Sequence, residues 1–106
     1  MPEEVVLQLS HKDVNLGFFK SKKAEILSLL SGMDLEYRDG MLFDLSHRCM
    51  VKLSVAMMTK LAEWNEKGYN VKGASVRFIV AWKPKDAPKE ESETAVLLAD
   101  LYLVRN

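Results

Sequence analysis

Ser46, His47, Arg48 and Cys49 form the one cluster of catalytic residue types in the sequence. A thiol becomes a nucleophile when a cation or a helix start lowers its pKa, and Cys49 has His47 and a predicted helix N-terminus close by in sequence. Helix geometry opposes the pairing, because side chains two apart point about 200° away from each other. Cys49 is also the single cysteine of the chain, and a lone thiol is most often a small buried hydrophobe. His11 and His47 have no third ligand at metal-binding spacing, so no metal is expected. Asp13, Asp34, Asp39 and Asp44 are scattered over turns and a strand rather than paired for acid–base work, and no cofactor is expected either. What remains is a ligand pocket between the sheet and the second helix. Met57, Met58, Trp64 and Tyr102 would line it and His47 or Cys49 would supply its polar group.

These residues are positioned by elements that the hydropathy pattern outlines. Val5 to Leu9 alternates as a strand, Ser10 to Asp13 is turn-like, and residues 14–19 read as a second extended segment that Gly17 weakens. Ser21 suits the N-cap of a helix over 21–31, with Gly32 as its stop. In LEYRDGMLFDL, Asp39 and Gly40 make the two-residue turn that admits positive φ at both centres, so a hairpin is predicted. Ser46 is taken as the cap of a long second helix, in which Met50, Leu53, Met57, Leu61 and Trp64 recur at steps of three and four until Gly68. Val76, Phe78, Val80 and Trp82 alternate within a strand over 74–83. Residues 84–93 read as a charged, proline-containing loop expected to be mobile, and 94–104 as a strand that is apolar on both faces, with a helix as the alternative that periodicity alone leaves open.

The predicted fold is α+β in one domain, 1–106. It is a two-layer sandwich with a mainly antiparallel sheet of five or six strands and two helices on one face, in the order hairpin, helix, hairpin, helix, hairpin. A ferredoxin-like βαββαβ arrangement is its nearest variant.

Bulk composition narrows the function classes. Fifteen Lys and Arg against fifteen Asp and Glu leave no net charge to draw a nucleic acid or an anionic membrane. The opening MPEEVVLQLS carries acids where an export signal carries cations, and no apolar run approaches the length of a membrane span. With one unpaired cysteine, the expected setting is the cytoplasm.

The stretch FDLSHRCMVKLSVAMMTKLAEWNEKG resembles the phosphorylated loop and following helix of anti-sigma-factor antagonist domains, where a strand ending in Asp-Leu-Ser precedes a switch serine. The resemblance covers about a quarter of the chain and would make Ser54 the switch residue of a phosphorylatable domain. Lys52, Leu53 and Val55 depart from that family's pattern, which has an acid and a serine before the switch residue and a glycine after it.

Absence of chemistry together with surplus apolar strand leads to the main expectation: a non-enzymatic module that contacts protein, as a homodimer or with another protein partner. Its interface would be the C-terminal hairpin, through Val76, Phe78, Trp82, Leu98, Tyr102 and Val104. A small dimeric enzyme or ligand-binding protein using the pocket above is the competing class.

Overall fold

The computed structural model describes residues 2–83, 85, 86, 88 and 93–106; most of the 84–93 connector, with its expected mobility, lies outside the described residues. The elements run β1 (Glu4–Gln8), a 3-10 turn (Leu16–Ser21), α1 (Lys23–Leu27), β2 (Asp34–Arg38), β3 (Met41–Phe43), β4 (Cys49–Lys52), α2 (Val55–Glu66), β5 (Tyr69–Trp82) and β6 (Thr94–Arg105). The fold is α+β: one curled antiparallel sheet of six strands, ordered β1-β6-β5-β2-β3-β4, with few helices.

Residues Ser10 to Asn15 bring the two ends of that sheet together. Val14 forms an antiparallel bridge with Leu53, and the Asn15 N–H donates to the Lys52 carbonyl at 2.8 Å. Ser54 locks the corner: its N–H donates to the Asp13 carbonyl at 2.8 Å and its hydroxyl to the Lys12 carbonyl at 3.0 Å. The same hydroxyl accepts the Met57 N–H at 3.2 Å and so caps α2. Curling turns one face of the sheet into an interior, filled by Leu35, Leu42, Val51, Leu97, Leu101 and Leu103 from the strands. Phe19 and Ile26, both fully buried, enter the same core from the 3-10 turn and α1, and Met57 and Leu61 enter it from α2.

Two elements differ from the sequence reading. Residues 14–19 do not form a strand beyond the Val14 bridge, and a 3-10 turn leads into an α1 of five residues, 23–27, without a side-chain cap from Ser21. The second helix starts at Val55 rather than after Ser46, and Cys49 to Lys52 are strand. Asp44 accounts for this difference. Its carboxylate accepts the N–H groups of Ser46 at 2.9 Å and Arg48 at 2.8 Å, closing a turn in which His47 takes a φ of +64° that no helix permits. Three strands therefore stand between α1 and α2 where a single hairpin was expected.

The two hairpins fare better. Asp39 and Gly40 have φ of +47° and +79°, as the predicted turn requires. β5 and β6 pair along their whole length, and 14 residues of β5 at about 3.3 Å each account for most of the 49 Å long axis of the molecule. A bulge between Val76 and Phe78 interrupts the alternation within β5.

Replacing Gly40 with alanine is expected to cost about 1–2 kcal/mol, because its left-handed φ penalises a β-carbon. The added methyl would also fall 2.5 Å from Met58 Sδ, which must swing away. An unchanged urea midpoint would show that the turn does not hold this conformation. Ser54→Ala is expected to lose about 1 kcal/mol while Ser46→Ala is nearly neutral; the reverse order in thermal unfolding would restore the longer helix.

Candidate functional site

The strand and helix placements above scatter the six residues expected to share a ligand pocket. His47 lies at the β3–β4 turn with its side chain largely exposed, its Nδ1 4.0 Å from a Glu36 carboxylate oxygen. Cys49 opens β4, half-buried, with Sγ 3.6 Å from the Val51 carbonyl oxygen. Met57 and Trp64 line a groove of about 370 Å³ between β1 and α2. Met58 lines a second depression, of about 280 Å³, on another flank of α2 with Tyr37, Leu61 and Tyr69. Tyr102 lines a third, also about 280 Å³, on the opposite face of the sheet beside Val6, Lys72 and Gly73, its hydroxyl 2.6 Å from Ser75 Oγ. His47 and Cys49 border none of these three. Among the described residues no group of three or more His, Cys, Asp and Glu is placed to hold a metal ion. No helix there is long and apolar enough to cross a membrane.

No known protein family, no curated protein and no solved structure matches the chain.

The six residues expected at an interface divide differently. Register places Leu98, Tyr102 and Val104 on the convex face of β6, and Phe78 and Trp82 on that same face of β5, opposite Leu98 and Thr94. Val76 does not join them. Across the bulge it pairs with Ala99 and points into the core, 2% exposed. Leu98, at 9%, is buried as well, and so is the whole run Ala95 to Ala99; β1 pairs with β6 only over residues 100–104, and the 3-10 turn and α1 pack against β6. Surplus apolar surface lies instead on β5, where Phe78, Val80 and Trp82 are 38%, 37% and 40% exposed. Exposed Leu30 and Met33 flank the root of this row, since the adjoining Gly32 N–H donates to the Val76 carbonyl at 2.7 Å.

Arg77, the extra residue at the bulge, had no role in the sequence reading. Its guanidinium crosses β6, pairs with Asp100 at 3.2 Å, donates to the Leu9 carbonyl and stacks on Phe78 at 4.4 Å. A contact made across an intervening strand has no signature in a single sequence. Ser54 is likewise occupied as cap and corner bond, and the all-antiparallel sheet differs from the alternating parallel fold of the anti-sigma-factor antagonists.

Asp44 is the buried carboxylate with the clearest electrostatic setting. Burial pushes its pKa up, but the Arg48 N–H, the Arg48 side-chain bond at 2.9 Å with its charge, and the Ser46 N–H outweigh that and hold it below its ordinary 3.8. A pKa lower in the folded state stabilises fully above the unfolded value and is lost as pH falls through the folded one. Asp44→Asn is therefore expected to cost about 1–3 kcal/mol at neutral pH. It should also flatten the decline in stability below about pH 4. Equal acid slopes for the two proteins in urea titrations would remove Asp44 from this role.

Proposed function

We propose that this chain is a non-enzymatic protein-interaction domain that associates with a second copy of itself through its C-terminal hairpin. The observation that carries the reading is the row Phe78, Val80 and Trp82, three large apolar side chains about two-fifths exposed on one face of β5. Past Val76 this part of β5 has no described strand partner other than β6, so both a face and an edge are open. Aromatic residues are enriched at protein interfaces, and a patch of this kind on a rigid strand is suited to self-complementary packing about a twofold axis. Tyr102 and Val104, half-buried on the same face, extend the contact toward β1.

The domain then has two layers, with α1 and α2 covering the concave face and the partner covering part of the convex one. A single unpaired thiol is compatible with a reducing compartment, so the proposed setting is the cytoplasm.

Sedimentation of the native chain over a dilution series tests the reading. A concentration-dependent dimer is expected, and Phe78→Asp combined with Trp82→Glu should shift it to monomer while the far-UV spectrum stays unchanged. A chain that is monomeric at every concentration would sink the proposal.

A further inference from the structure

We propose that the outer edge of β1, where it faces α2, docks a single extended peptide segment that joins the sheet as an additional strand beside β1. Two hydrogen bonds set the phase of β1. Leu9 N–H donates to the Ala99 carbonyl and Arg105 N–H to the Glu3 carbonyl, both at 2.9 Å. Residues 3, 5, 7 and 9 thus bond inward to β6, and residues 4, 6 and 8 direct their N–H and C=O groups away from the sheet. Among the described residues nothing bonds to these groups of Val6 and Gln8. An open row of this kind is a template for another strand, and Val6, 53% exposed at its centre, supplies none of the lysines, prolines or bulges that commonly block an edge.

The groove beside it has the dimensions of one strand. It holds about 370 Å³ and is lined by four consecutive residues, Val6, Leu7, Gln8 and Leu9. Their side chains alternate between the two faces, so a cavity touching all four runs along the strand edge. Met57, Lys60 and Trp64, spaced along one stripe of α2, form the opposite wall. That wall leaves room for a lone segment and excludes the edge of a second sheet, which separates this surface from the hairpin patch.

The walls also define the chemistry of the occupant. Leu7, Met57 and Trp64 suit an apolar side chain. At the Leu9 end, the Asp13 carboxylate is already bonded to the Ser10 N–H at 2.8 Å and hydroxyl at 3.1 Å. Lys60 Nζ lies 3.6 Å from it on a side chain 62% exposed, with ammonium donors left for a further carboxylate. The partner is an extended segment with an apolar residue facing α2 and an acidic residue near Lys60, held by main-chain bonds for affinity and by these two contacts for specificity.

Selection of a random phage-displayed heptapeptide library on the native chain supplies the probe. Enriched sequences should combine alternating apolar residues with an acid, and the synthesised peptide should shift the backbone amides of Val6, Gln8, Met57 and Trp64. N-methylation of alternate peptide amides should weaken binding about tenfold or more, and so should Val6→Pro, which removes an outward N–H and no bond within the sheet. Lys60→Glu should reject the acidic peptide and accept its lysine counterpart. Failure of any sequence to enrich overturns the proposal, as does binding indifferent to N-methylation, or amide shifts confined to β5 and β6. Self-association abolished by Val6→Pro would assign the edge to a second copy and overturn it too.

Discussion

Curling a six-stranded antiparallel sheet requires something to hold its ends together, and here a few hydrogen bonds do so. The Val14–Leu53 bridge, the Asn15 bond to Lys52 and the two bonds from Ser54 join the chain just beyond β1 to the chain just beyond β4. Without that corner the two end strands, β1 and β4, would be free to splay, and the leucines of β2, β3 and β6 would lose their common interior. The corner also aims α2: the residue that closes it is the residue that caps the helix, so α2 leaves the junction and runs back alongside β1. Closure lies beyond Gln8, and for that reason the edge of β1 itself stays open.

A second consequence concerns where apolar surface is left over. A strand with two apolar faces needs cover on both, and β6 has the 3-10 turn and α1 packed against it as well as the core of the curled sheet. The outer strand of the projecting hairpin lacks that shelter. Exposure falls on Phe78, Val80 and Trp82, so the surplus that the C-terminal sequence implied sits one strand away from where it was expected.

Much of the framework could be read from local pattern. The turn at Asp39 and Gly40 depends on two residues with one favoured geometry, and the alternation in β5 and β6 is long enough to resist misreading. The stretch 46–53 misled because its apolar spacing fits a helix as well as a strand. The deciding group was the Asp44 side chain, which gathers the Ser46 and Arg48 N–H groups into a turn whose left-handed His47 no helix can contain. The pocket and interface residues were less legible, since strand order decides which positions share a surface. Met57 and Trp64 do lie on one groove, but Tyr102 belongs to the other face of the sheet, and β1, which forms the far wall, gave no sign of being an edge.

The bulge at Arg77 makes side-chain direction along β5 a matter of counting. Before it, the even-numbered Ala74 and Val76 turn inward; after it, the odd-numbered Ile79 and Ala81 share that inner face and the even ones look out. Deleting that one residue would leave every pair beyond it in place, Phe78 still opposite Leu98 and Ile79 opposite Leu97, so the rings would stay outward and only the Arg77 contacts would be lost. Ironing the bulge out with every residue kept would instead slip the pairing beyond Val76 by one and turn the arm inside out, so the identity of the outward surface is stored in where the strand takes up its extra residue.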